Sequence, residues 1–257
     1  MKMKRLCAAI LVIVLAFCAC TVVFASSPQP STATVTIISK GEFVLKNYKV
    51  VVSTDNFNID DALKAAHDAK YDGGADKGYA SATGDYGLYI TKLWGDTSGA
   101  FGYTVNNKMS SGLSDKVSAG DSVVAYIYSD ATAYSDKYTY FDKNSVTVKA
   151  NEEVTLTLSG LGYDENWQTV VSPLADATIT VDGEKTEYKT DSNGKVTISL
   201  KGGKTYTVSA SADTLIVPPI CLVTVEKSGS AVVWIVAGAV LIVIGVGMLV
   251  PTKKKKQ

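Results

Sequence analysis

The chain is predicted to be mainly β with an α+β portion, ending in a single C-terminal transmembrane helix. Three features carry that prediction. Short β-branched runs recur between turn residues along most of the length. One window, residues 58–70, switches to helical spacing. Residues 231–250, AVVWIVAGAVLIVIGVGMLV, pass without a charge. A helix of about 20 residues rises roughly 30 Å, the thickness of a bilayer's hydrocarbon core.

The N-terminal end reads as a secretory signal over residues 1–25. Lys2, Lys4 and Arg5 precede an apolar core at residues 6–17, and Val23-Phe24-Ala25 supplies a cleavage site. Two further readings stay open, an uncleaved anchor and a lipid-modified Cys18 or Cys20. Residues 26–32, SSPQPST, form a flexible lead. At the other end Lys253, Lys254, Lys255 and Lys256 follow the span, and basic residues close to a span stay in the cytoplasm. Residues 230–250 are therefore expected to be a single-pass type I membrane anchor, with residues 251–257 as a cytoplasmic tail. The part between signal and span faces outward.

That outward part differs from the whole chain in charge. The full sequence has 25 acidic and 25 basic residues. Three of the basic residues lie in the signal and four in the tail, which leaves 18 lysines and a charge near −7 between residues 26 and 230. The only arginine is Arg5. Arginine's planar fork is the preferred reader of phosphates and bases, so its absence and the net acidity argue against nucleic acid as a partner. Three of the four cysteines sit in the signal, and Cys221 alone remains, so no intramolecular disulfide can form. Its setting, IVPPICLVTV, reads as a buried, inert thiol. No Asn-x-Ser/Thr sequon and no Leu-Pro-x-Thr-Gly sorting motif is present. The cell surface of a Gram-positive-type bacterium is the setting these features favour.

The outward residues divide near residue 142. Residues 33–39 and 42–53 read as strands. Asn58 can cap a helix whose apolar face is Ile59, Ala62, Leu63, Ala66 and Ala69, with Asp60 and Asp61 in the first turn and Gly73-Gly74 beyond its end. Residues 75–87, rich in Gly, Ala, Ser and Asp, read as a loop. Strands follow at 87–95, 100–108 and 121–129, with Asn106-Asn107 suited to a tight hairpin. Strand, strand, helix, strand, strand, strand is the order of a β-grasp-like domain, expected over residues 33–142 with its helix across one face of a mixed sheet. From about residue 144 short strands alternate with turns, and Asp182-Gly183 and Asn193-Gly194 are hairpin signals. A small β-sandwich is expected over residues 143–227.

Four segments in sequence order, NIDDALKAA, YITKLWG, FGYTVNNK and SAGDSVVAYIY, resemble the transcobalamin-like C-terminal domain family over roughly residues 33–142. Asn107 stands where that family has Gly, and Ala125-Tyr126 lies near its Trp. Residues 190–211 are similar to immunoglobulin-like or prealbumin-like modules of bacterial surface proteins. The first resemblance implies that contact with a corrinoid is possible.

The residues themselves offer little catalytic chemistry. A Ser-His-Asp or Cys-His device needs a histidine, and the only one, His67, reads as a solvated or rim residue. The pairs Asp60-Asp61, Glu152-Glu153 and Asp164-Glu165 read as surface charges; the first lies in the opening turn of the helix, and neighbours on a strand face opposite ways. Asp191-Ser192-Asn193-Gly194 lacks the later acid of a calcium loop and reads as a hairpin turn. Tyrosines are more telling, since their rings stack and their hydroxyls give polar handles. Tyr86, Trp94, Tyr103, Tyr126 and Tyr128 are the candidate ligand-binding residues, with no catalytic or metal residues and no cofactor. The expectation is a non-enzymatic surface protein whose β-grasp domain binds an extracellular corrinoid, glycan or protein and whose β-sandwich is a spacer. The alternative is a capture protein that feeds a corrinoid or similar small molecule to a transporter.

Overall fold

The computed structural model describes residues 31–227, apart from Trp167. The expected signal, the span at 230–250 and the tail at 251–257 lie outside the described residues, as does most of the lead. Among the described residues no helix is long and apolar enough to cross a membrane.

Two strands open the chain, β1 (Thr32–Ser39) and β2 (Glu42–Val51). Lys40 and Gly41, both at positive φ, join them. Helix α1 (Ile59–Lys70) starts where the sequence predicts. Asn58 accepts from the Asp61 amide at 3.0 Å, and the Asp61 carboxylate accepts from the Asn58 amide at 3.1 Å. This reciprocal cap satisfies two amides that a helix start leaves unpaired.

Residues 75–87 are not the loop that their composition predicts. They contain a short helix α2 (Gly74–Gly78) and a strand β3 (Ala80–Gly84) paired with β4 (Gly87–Lys92). Small residues have weak strand propensity, and here cross-strand pairing decides the outcome. The β3–β4 hairpin is a separate two-stranded sheet.

The main sheet is completed by β5 (Phe101–Val105), β6 (Lys108–Met109) and β7 (Ser122–Ile127). Its order is β2-β1-β7-β5-β6, with β1 and β7 parallel and the other neighbours antiparallel. Asn106 and Asn107, at φ 50° and 61°, make the turn between β5 and β6. Helix α1 covers one face, where Ile59, Leu63 and Ala66 pack with Val35, Ile37, Val123 and Ala125. Central β7 is buried on both faces, as a strand beside a parallel partner usually is.

The remaining strands are β8 (Lys137–Phe141), β9 (Ser145–Val148), β10 (Glu153–Tyr163), β11 (Thr169–Pro173), β12 (Thr178–Val181), β13 (Glu184–Lys189), β14 (Lys195–Ser199), β15 (Thr205–Ser211), β16 (Ile216–Val217) and β17 (Cys221–Val225). They form two sheets. One runs β11-β10-β8-β16, with β14 also against β10; the other runs β13-β12-β15-β17-β9. Leu156, Leu158 and Ile198 of the first share a core with Ile179, Val208 and Val223 of the second. Phe141 and Cys221 fill the same core. β8 lies inside residues 33–142 of the sequence yet hydrogen-bonds to β10 and β16.

Asp182-Gly183 turns β12 into β13, both residues at positive φ. The second expected hairpin, at Asn193-Gly194, is instead a crossover turn, because β13 and β14 belong to different sheets. The Asp191 carboxylate holds it by accepting from the Asn193 amide at 2.9 Å and the Lys195 amide at 2.8 Å. Gly194 is required there. Its φ is +72°, and a Cβ would come within 2.2 Å of the Leu158 carbonyl oxygen.

The two halves meet along an apolar seam. Ile38, Val124 and Tyr126 come from the face of the main sheet opposite α1, and Tyr138, Leu161 and Val217 come from the second half.

Candidate functional site

Of the five aromatic residues singled out from the sequence, the structure brings two together. Tyr126 and Tyr128 project on one face of β7 and on beyond its end, toward the seam. Tyr103, on β5, points to the helix-covered core, and Trp94 packs on that core as well. Tyr86 stands fully exposed in the turn between β3 and β4.

Around Tyr126 and Tyr128 a chain of tyrosines develops. Tyr126 is stacked on Tyr138, with centroids 5.6 Å apart, and meets Tyr128 edge-on at 5.1 Å. Tyr128 meets Tyr134 edge-on at 5.2 Å. Tyr138 continues to Tyr140 at 6.2 Å. The cross-strand partner of Tyr126 is Gly102, and any Cβ there would lie 2.2 Å from the Tyr126 ring. The glycine is what lets the ring lie flat across β5. Burial holds the Tyr126 and Tyr138 phenols well above the ordinary tyrosine range, so both stay neutral.

Tyr126, Tyr128 and Tyr138 floor an open groove of about 260 Å³. Met109, Tyr134, Leu161 and Tyr163 complete its walls. Tyr134 and Tyr163 are each about half exposed, 52% and 54%. Tyr134 sits at φ 53° in the segment between β7 and β8. Two carboxylates brace that segment. Asp130 accepts from the Thr132 and Ala133 amides at 3.0 and 2.9 Å and from the Ser135 hydroxyl at 2.7 Å. These hydrogen bonds, that from Ala133 first, hold its carboxyl below the usual range. Asp136, buried, accepts from the Ser129 and Asp130 amides at 2.8 and 2.9 Å. Lys137 is likewise engaged, donating to the Ser172 hydroxyl at 3.0 Å. The charges that line the groove are thus tied to the fold, and what faces solvent is aromatic surface with phenol hydroxyls.

Tyr134 and Tyr163 complete the groove but were not among the residues selected from the sequence. Tyr134 lies in a turn with no period to mark it. Tyr163 is placed by the unusual length of β10, which carries the chain past β8 to the seam.

His67 is a correction. It is fully buried, where a solvated or rim position was expected. Its Nδ1 lies 2.7 Å from the Leu63 carbonyl oxygen, which accepts from it. Its Nε2 accepts from the Trp94 amide at 3.1 Å. Trp94, at φ 49°, and Tyr79 flank the ring, each at 5.1 Å. Burial lowers its pKa below the ordinary imidazole range, although the Leu63 hydrogen bond pulls the other way. It is a neutral strut between α1 and the loop after β4.

A second cleft, of about 270 Å³, lies between the β1–β2 turn and β12–β15. Glu42, Lys46, Lys185 and several Ser and Thr residues line it, a mixed surface of no single sign. Among the described residues no three His, Cys, Asp or Glu side chains are grouped to hold a metal ion.

No family model and no curated protein matches the chain. Among solved structures, the N-terminal four Ig domains of Dscam1 isoform 4.44 align at 11% identity and a TM-score of 0.24, over 78% of this chain and 45% of that one. Isoform 8.4 aligns at 11% identity and 0.23, over 80% and 46%. The teleost fish polymeric Ig receptor ectodomain aligns at 12% identity and 0.18, over 58% and 74%. The chain thus spans less than half the length of the Dscam1 structures.

Proposed function

We propose that this protein is a membrane-anchored, non-enzymatic binding protein of the bacterial cell surface, and that the tyrosine groove at the seam is its ligand site. The observation that carries this reading is the set of half-exposed rings held on a braced segment. Tyr134 and Tyr163 keep about half of their surface exposed, and Asp130 and Asp136 between them accept five hydrogen bonds within the segment that presents Tyr134. The anchor rests on residues 231–250 and the lysines after them.

In this reading the first half is a β-grasp domain, related to the transcobalamin-like C-terminal domain. Its strand order, with parallel first and last strands at the centre and a helix across one face, supports that. The second half is an immunoglobulin-like or prealbumin-like spacer that also supplies one wall of the groove. A corrinoid is the less favoured ligand. Sites that enclose small molecules occupy roughly 300–1,000 Å³, and an open groove of about 260 Å³ grips only part of its ligand. That suits a segment of a polymer laid across it.

The test is a binding screen of the purified full chain, by surface plasmon resonance, against cobalamin, haem, wall glycan strands and extracellular matrix proteins. Binding to at least one, weakened tenfold or more in a Tyr134→Ala/Tyr163→Ala variant of unchanged thermal stability, is the expected result. Binding equally strong in that variant would overturn the assignment of the groove.

A further inference from the structure

The edge of the second half beside the groove has backbone groups placed to receive another strand. β11 is the last strand of its sheet. Its pairing with β10 is antiparallel, Tyr163 to Thr169 through Ser159 to Pro173. The Leu174 amide donates to Leu158 at 3.0 Å and the Asp164 amide to Gln168 at 3.0 Å, which fixes the hydrogen-bonded pairs at either end of the ladder. Hydrogen-bonded and non-hydrogen-bonded pairs alternate. Ser172 and Val170 therefore spend their backbone groups on β10, whereas Thr169 and Val171 point their N–H and C=O outward. Pro173, with no N–H, closes that edge, a usual place for proline in a sheet.

Side-chain direction adds a second argument. Residues opposite each other across two strands share a face. Val171 is opposite Leu161 and Thr169 is opposite Tyr163. Leu161 and Tyr163 both line the groove. Val171, 58% exposed, thus continues the apolar floor of the groove to the open edge. Neither lysine nor any other charge in β11 blocks this edge, a common device for preventing unwanted pairing.

We propose that an extended polypeptide segment adds to β11 as a further strand, bonding to Thr169 and Val171, and lays alternate side chains along Leu161 and into the tyrosine groove. This rests on the groove being the ligand site and names the class of ligand. Backbone pairing supplies affinity and the groove selects apolar or aromatic residues at every second position. Asp164 and Glu165 flank the far end of the edge in an outward part that is acidic overall, so a segment with lysines at its ends fits better than an acidic one.

The probe is a labelled peptide of alternating Val and Thr flanked by Lys, titrated into the detergent-solubilised full chain. Expected are saturable binding and slowed hydrogen exchange of the Thr169 and Val171 amides. Val171→Pro removes one outward N–H without touching a bond to β10, and should weaken binding at least tenfold, whereas Val171→Thr should change it less than threefold. Unfolding midpoints confirm that both variants fold. Undiminished binding to Val171→Pro, or no binding of the peptide at all, overturns strand addition. If Tyr134→Ala/Tyr163→Ala abolishes binding of another ligand while Val171→Pro does not, the groove stands and the strand fails. If neither change matters to any ligand, both fail. Concentration-dependent protection of the two amides without peptide would make a second copy of the chain the occupant, and would overturn the peptide proposal.

Discussion

The phenol of Tyr138, on β8, is shared between two residues of the other half: the Thr104 hydroxyl donates to it at 3.0 Å, and it donates to the Asn107 side-chain oxygen at 3.0 Å. Thr104 and Tyr138 are both buried. The two halves are therefore joined by a polar clasp inside an apolar seam, and a clasp of this kind is costly to half-remove.

Tyr138→Phe keeps the ring and its stacking on Tyr126 but leaves the Thr104 hydroxyl without its acceptor. A buried polar group orphaned in this way costs about 1–3 kcal/mol. Urea unfolding should show a loss in that range. Adding Thr104→Val, which removes the orphan, should restore part of it, because replacing both partners by apolar groups of like shape is nearly neutral. A double variant less stable than the single one by a further increment would contradict this account.

His67 predicts a pH dependence. Its pKa is lowered in the folded protein, so the unfolded chain takes up a proton first as the pH falls. Stability from the neutral imidazole is intact above about 6.5, the unfolded value, and is lost as the pH drops from there through the lowered folded value. Urea midpoints measured between pH 8 and pH 5 should fall more steeply for the wild type than for His67→Gln. Parallel curves for the two proteins would rule out this histidine as the source.

Gly194 and Gly183 both sit at positive φ, and their surroundings separate them. A Cβ at Gly183 meets open space, whereas one at Gly194 overlaps the Leu158 carbonyl oxygen. Gly183→Ala should cost only the strain of a left-handed alanine, about 1–3 kcal/mol. Gly194→Ala should cost more, since a backbone carbonyl at the crossover between sheets must move as well. Thermal unfolding of the two variants side by side tests the ranking.

Cys221 should be inert in the folded state. It is fully buried in the core shared by the two sheets of the second half, and burial pushes its thiol up to about 12. Thiolate is the reacting species. Iodoacetamide at pH 8 should leave the Cys221 peptide unmodified in native protein and alkylate it fully in urea, as peptide mass mapping would show. Native labelling at a rate near that of a free thiol would contradict the buried placement.

Much of the fold was legible because its signals are local. The cap at Asn58 and Asp61, the helical face of α1, the Asn106-Asn107 and Asp182-Gly183 turns and the alternation in β10 are each set within a few residues. The misreadings concern partners far away in sequence. β3 consists of small residues that no propensity marks as strand, and it forms because β4 lies beside it. His67 reads as a surface residue because Ala66 and Asp68 flank it, and only the loop carrying Trp94 shows that its ring is enclosed. Half the candidate site was visible as the Tyr126 and Tyr128 alternation. The rest depended on where β8 and β10 dock.

By itself, the sequence determined the mostly β character, the helix and its cap, the turns that need positive φ, and the reading of Cys221 as a buried thiol. Only the tertiary structure decided which aromatics meet. Tyr126 and Tyr128 join Tyr138 and Tyr163 across the seam, while Trp94, Tyr103 and Tyr86 go elsewhere. The reason is physical. Backbone periodicity is written over a few residues, and it says which side chains share a face. What that face is pressed against depends on long-range strand pairing and on burial of the seam.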